Sequence, residues 1–339
     1  MTSGDRALAV FLALVVVVGL TAGLPELSAQ GTVKLDGYAE WKRNGDLVVD
    51  GQRVRVDGKT KWKGTFTNVA AVPMGSEVRA SGVRAADGAV TAREIDVRPN
   101  GADALFESDV MAGTNQLESV WRQNGEAFEA DGKGRKVRIG EIETEGPRVD
   151  RVRQLVRRLG PPYVDQSKLR VYVIDNQEWN AMAMGNGAIW VYRGIMDDMP
   201  DPQLAIVVGH ELAHYTHEHS RRQMRRGIWT QMIGLGALLG ATAIDSSAAR
   251  AAAQLGAAFT LSALSSGYGR DLEDQADRVG LRYAYEGGFA VAEAPGVWQR
   301  FLEKYGQGDR VTNFFFSDHS LAGARKKNLE LEIANNYRP

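Results

Sequence analysis

Four of the chain's five histidines, His210, His214, His217 and His219, fall within the stretch GHELAHYTHEHS at residues 209–220. Side chains four residues apart on a helix project from one face, one turn apart. His210 and His214 have that spacing, with Glu211 beside the first. The H-E-x-x-H order suits zinc, because two neutral ring nitrogens bind the ion at ~2.0–2.1 Å and a carboxylate stays close enough to act as general base. On a continued helix His217 lies on nearly the same face and His219 does not. The pentapeptide alone also fits an ordinary amphipathic helix ending in polar residues, so a donor elsewhere has to decide.

A catalytic zinc needs three protein ligands and one open position. The stretch GYGRDLEDQADRVG at 267–280 offers candidates, since Glu273 and Asp277 are four apart and share a helix face. One could bind the metal while the other accepts a ring N–H from a ligating histidine. Read locally, the same stretch is a solvated charged helix. Cysteine is absent, which excludes thiolate-bound zinc, disulfides and thiol nucleophiles.

The elements that must position these groups can be read next. Asp201 is read as the N-cap of the histidine helix and Pro202 as its first residue, with no interior breaker stronger than Gly209. Pro147 opens an earlier helix with Val149, Val152, Leu155, Val156 and Leu159 on one face, and the Gly-Pro-Pro at 160–162 ends it. LRVYVI (169–174) and GAIWVYRG (187–194) read as strands joined through NAMAMGN (180–186). Residues 31–100 read as β: turn pairs Asp36-Gly37, Asn44-Gly45, Asp57-Gly58 and Asp87-Gly88 separate short alternating runs. A small barrel or sandwich follows, resembling OB-like modules. Tyr38, Trp41, Trp62 and Phe66 are read there as core and strand-edge residues. The Gly- and Glu-rich stretch 101–146 reads as a connector with one short hairpin, so a chain starting near Ala102 is expected to fold and remain active.

HELAH, then RDLEDQAD some sixty residues on, then FSDHS at 316–320, resembles the gluzincin peptidase family of the CAAX prenyl proteases and HtpX heat-shock proteases, over roughly 147–335. The soluble periplasmic branch matches best. The resemblance implies an α+β fold: a mainly helical zincin-like domain with a small sheet at 147–339, preceded by the all-β module. It implies one Zn²⁺ per chain held by His210, His214 and Glu273, with Glu211 as base and Asp277 orienting a ligand. It brings His319 over the metal, as an oxyanion donor or as a resting-state plug. It also makes the strand near 187–193 the edge that pairs with an extended substrate, with Asn180, Gly187, Ala188, Ile189, Trp190 and Val191 as substrate contacts. Gly269 stands where the family usually has serine, and Ser320 where it has proline.

Arg6, the apolar run at 7–20 and the small residues after it follow the order of a secretory signal, with residues 1–29 removed and cleavage between Gly23 and Gln30. The alternative is an uncleaved anchor, because 7–24 is just long enough to cross a ~30 Å hydrocarbon core. The expected location is the periplasm. Residues 227–244 carry no charge, and 251–264 follow as a second apolar run. Ala and Gly content and the short second run favour buried or membrane-apposed helices over a membrane hairpin. A formal net charge of −1 excludes a general nucleic-acid binder. The expected partners are unfolded or flexible polypeptides, misfolded envelope proteins among them, with peripheral membrane contact through RRQMRR (221–226) a lesser reading. The competing function is an envelope chaperone or scaffold with a structural zinc. The oligomeric state is not legible.

Overall fold

The computed structural model describes residues 32–99, 120–131, 135–223, 268–306 and 322–337. The apolar N-terminal run, the 227–264 segment and His319 lie outside them. Among the described residues no helix is long and apolar enough to cross a membrane.

Six strands build the first sheet: β1 (Val33–Arg43), β2 (Asp46–Val49), β3 (Gln52–Arg55), β4 (Lys61–Lys63), β5 (Glu77–Arg84) and β6 (Val90–Arg98). Asn44 and Gly45 both take positive φ, 51° and 83°, which lets a two-residue turn follow the strand twist. Asp50 and Gly51 do the same at 44° and 74°. The pairings close a ring, β1–β2–β3–β6–β5–β1, in which β3 and β6 are parallel and the other pairs antiparallel. Leu47, Val54, Val78 and Ile95 fill its interior.

The second sheet has the order β11-β12-β10-β9-β8-β7. Its strands are β7 (Trp121–Gln123), β8 (Glu126–Ala130), β9 (Lys136–Glu143), β10 (Arg170–Asp175), β11 (Ala181–Ala183) and β12 (Ala188–Tyr192). The expected connector at 101–146 therefore supplies three strands of the sheet that flanks the histidine helix. Hairpin β7–β8 carries the Asn124-Gly125 turn, and β9 pairs with β10, so this stretch is built into the fold by long-range pairing that its composition does not announce.

The helices are α1 (Pro147–Leu159), α2 (Arg193–Asp198), α3 (Asp201–Thr216), α4 (Arg270–Glu286), α5 (Ala294–Tyr305) and α6 (Ala322–Asn336). The five predicted apolar residues of α1 are all buried. In α3 the cap is Pro200 rather than Asp201, so Asp201 opens the helix and adds negative charge at its N-terminus. One core joins α1, α3, α4, α5 and the inner faces of β10 and β12. Trp41 and Val48 of the first sheet belong to that same core, and Thr32–Pro339 is one compact unit.

Glu129 on β8 is 5% exposed, and burial together with the nearby Glu178 pushes its pKa up to about 8. Its unfolded value is lower, so between about pH 5 and pH 8 the unfolded chain has released a proton that the folded one still holds. Stability then falls as pH rises, by up to about 1.4 kcal/mol per pH unit. Glu129→Gln removes that dependence: its melting temperature is expected to fall less from pH 5.5 to 8 than that of the wild type. Parallel melting curves across this window would rule the effect out.

Candidate metal centre

Helices α3 and α4 meet backbone to backbone, and this contact assembles the site. A Cβ on Gly280 would lie 2.6 Å from the His210 main-chain nitrogen, and one on Gly209 would lie 2.8 Å from the Gly280 carbonyl oxygen. Only glycines permit this approach, so Gly209, read from sequence as a weak helix breaker, is a crossing point. The crossing lays Glu273 against His210 and His214. Gly280→Ala is expected to push the helices apart, at about 1–3 kcal/mol of overpacking, and to weaken metal binding. Unchanged melting temperature and metal content would show that the crossing tolerates a methyl group.

His210, His214 and Glu273 are buried, and each offers one ligand atom within 4.8 Å of the others. His210 Nε2 lies 2.9 Å from His214 Nε2. Glu273 Oε2 lies 3.4 Å from His210 Nε2, and its Oε1 lies 3.5 Å from His214 Nε2. Atoms bound at ~2.0–2.1 Å around a tetrahedral zinc sit about 3.4 Å apart. The spacing and the donor set, two imidazoles and a carboxylate in a buried site, therefore fit a divalent ion. Glu211 lies beside them at 2% exposure, and its Oε2 accepts the Ala183 N–H at 3.0 Å.

The ring nitrogens facing away from the ion's position have partners. His210 Nδ1 is 3.0 Å from Asp277 Oδ1. His214 Nδ1 is 2.8 Å from His219 Nδ1. Burial opposes the charge on Asp277, yet Arg325 and His210 outweigh it and hold its pKa below the usual carboxylate range. Arg325, on α6, is 1% exposed: its Nε donates to Asp277 Oδ2 at 2.8 Å, its NH1 lies 3.2 Å from Glu273 Oε2, and its guanidinium covers the Trp298 ring. Sequence reasoning missed this residue, because ARKK reads locally as a solvated basic run.

Helical projection misassigned the two later histidines. Helix α3 ends at Thr216 and Glu218 takes a positive φ of 52°, so the chain turns. The turn brings His219 onto His214 and sends His217 away, where its Nε2 donates to the Ala39 carbonyl of β1 at 3.2 Å. Burial, with Arg222 adding, lowers the His217 pKa to about 3 and the His219 pKa well below the usual range.

The expected substrate edge also needs correcting. Strand β12 is interior, paired with β10 on one side and β11 on the other. Ala188, Ile189, Trp190 and Val191 are wholly buried, Ile189 and Val191 in the helix-facing core and Trp190 stacked on Tyr172. Gly187 forms the β11–β12 turn at φ +86°, and Asn180 accepts the Tyr192 N–H through its carbonyl. The edge strand at this end of the sheet is β11. The short continuous apolar run AIWVY marks β12 as a strand, but which strands flank it is set by pairing with distant residues.

Comparison with known proteins gives matches over both parts of the chain. The model of "Peptidase family M48" matches residues 146–332, and a domain of unknown function, DUF5666, matches 36–96. The mitochondrial metalloendopeptidase OMA1 of Bos taurus is 28% identical over 50% of this chain and 33% of its own length. Metalloprotease YcaL of Escherichia coli is 29% identical over 46% of this chain and 59% of its own. The E. coli beta-barrel assembly-enhancing protease is 28% identical over 50% of this chain and 35% of its own. The chain thus spans between about a third and three-fifths of the length of these relatives.

Proposed function

The chain belongs to peptidase family M48 and is a metalloprotease, and from that premise we propose that it is a zinc endopeptidase of the bacterial envelope acting on unfolded or flexible proteins. The observation that carries the reading is the convergence of His210, His214 and Glu273 beside Glu211. The expected export signal and the likeness to a protease named for β-barrel assembly support an envelope role in protein quality control. The ring closure of the first sheet supports an OB-like module.

His210, His214 and Glu273 would hold the ion. Bound there, zinc supplies Lewis-acid polarisation of the scissile carbonyl and a water of lowered pKa. Asp277 accepts the His210 Nδ1–H, which places the ring's lone pair on Nε2, and Arg325 keeps Asp277 charged. Glu211 takes the proton from the attacking water and delivers it to the leaving amine. Its carboxylate is aimed by the Ala183 N–H, so the base and the β11 edge are registered to each other. Asn180 and Met184 direct main-chain bonds to β12, so Ala181 and Ala183 between them face the outer side of β11, where an extended peptide would take over the Ala183 N–H that Glu211 now holds. His319 keeps its proposed role as donor or plug over the metal.

Metal analysis tests the reading. Purified protein is expected to hold one zinc per chain and to cleave casein, and His214→Ala or Glu273→Ala is expected to lose both. Full zinc in His214→Ala would defeat the assignment.

A further inference from the structure

Gln275 sits on α4 between the histidine turn and the β-module, and touches both. Its Oε1 accepts from His219 Nε2 at 3.1 Å and from the Arg222 guanidinium. Its Nε2 donates to Glu40 Oε1 on β1 at 3.0 Å and to Asp50 Oδ1 in the β2–β3 turn. Glu40 is in turn held by the Arg278 guanidinium at 2.6 Å and accepts the Gly51 N–H. Gln275, His219 and Glu40 are all buried, at 1%, 0% and 2% exposure.

An amide can present oxygen or nitrogen at either end, but here both ends are dictated. A guanidinium only donates, so Oε1 must face Arg222 and with it His219, which leaves Nε2 to Glu40 and Asp50. An oxygen facing His219 Nε2 requires a proton on that nitrogen. Neutral His219 then carries its lone pair on Nδ1, where it can only accept from His214 Nδ1–H. With its proton on Nδ1, His214 has its lone pair on Nε2, the atom aimed at His210 and Glu273.

We propose that the β-module sets the tautomer of the metal-binding His214 through a hydrogen-bond relay, Glu40 and Asp50 to Gln275 to His219 to His214. Gln275, His219, Glu40 and Asp50 are positioning residues in this scheme. The opposite amide orientation would put Nε2 against His219, move its proton to Nδ1, and force the His214 proton onto the nitrogen that must ligate. The inference rests on the zinc reading above for its purpose, while the relay itself is a property of the apo chain.

Two measurements test it separately. Long-range proton–nitrogen NMR of the histidine rings in metal-free protein, simplified by the chain's five histidines, is expected to show His219 protonated on Nε2 and His214 on Nδ1. His219 protonated on Nδ1 in the wild type overturns the relay whether or not the chain binds zinc. Failure of the wild type to take up zinc overturns the metal reading instead, with the NMR result standing by itself. Zinc affinity by chelator competition supplies the second readout. Gln275→Leu is expected to weaken zinc about 10–100-fold, the usual effect of losing a group that orients a ligand. Gln275→Glu sets a carboxylate against Glu40 and Asp50 and lowers melting temperature, yet it keeps an acceptor facing His219 Nε2–H. The relay therefore predicts tighter zinc and native tautomers in Gln275→Glu relative to Gln275→Leu. A merely structural role predicts that zinc affinity follows melting temperature, and that order would overturn the proposal.

Discussion

Glu211→Gln is expected to lower kcat for peptide hydrolysis by about 10²–10⁴-fold, the usual contribution of a positioned general base, without loss of zinc. Glu211 stands next to His210 on α3 and is almost fully buried, so its replacement must keep shape and hydrogen bonding. Glutamine does both, because its oxygen can accept the same Ala183 N–H that now reaches Glu211 Oε2 at 3.0 Å. What glutamine lacks is the basic lone pair that removes and returns a proton. The proposed substrate contacts along β11 are unchanged, so KM is expected to stay close to the wild-type value while kcat falls. Metal content, melting temperature and casein cleavage measured together decide the matter. A metal-loaded variant retaining about a tenth or more of the wild-type kcat would remove Glu211 from the base role. Capture of polypeptide by a wild type that holds zinc and cleaves nothing would favour the scaffold function instead.

Removal of residues 1–101 is expected to abolish soluble folded protein, the opposite of what the sequence suggests. Trp41 and Val48 sit in the core shared by α1, α3 and α4, at 7% and 4% exposure. Burying each is worth about 1.5–3 kcal/mol, and the apolar surface they cover would be exposed with their loss. A domain's total stability is only about 5–15 kcal/mol. The truncation also strips His217 of its partner Ala39 and Gln275 of its partners Glu40 and Asp50. Soluble yield, a cooperative thermal transition and zinc content of the fragment measure the effect. A cooperatively folding, zinc-loaded fragment would mean that the β-module is an appendage, and the shared core is dispensable.

The reversal has a physical cause. Turn pairs and period-two alternation made the first sheet legible, because hairpins are local and their side chains alternate faces whatever lies beyond them. The same alternation does not say what an outward face packs against. Trp41 is among four aromatics that read as core and strand-edge residues of a separate barrel, yet it is part of the helical core.

What the sequence determined by itself was the chemistry carried on single helices. The four-residue spacings of His210 with His214 and of Glu273 with Asp277 follow from helix periodicity, whereas the placing of Glu273 against the two histidines comes from the crossing of α3 and α4. Tertiary structure alone decided everything that depends on one element meeting another or on where a helix stops. Glycine-on-glycine contact at 209 and 280 sets the distance between the two helices, and the end of α3 at Thr216 exchanges the parts expected of His217 and His219. Pairing order makes β11 the edge and β12 the interior strand. Arg325 and Glu40 look in sequence like charges on solvated elements; each is buried because its partner, Asp277 or Arg278, comes from a distant part of the chain. A single sequence records local periods directly, whereas such pairs arise only when the chain closes on itself and water is excluded from between them.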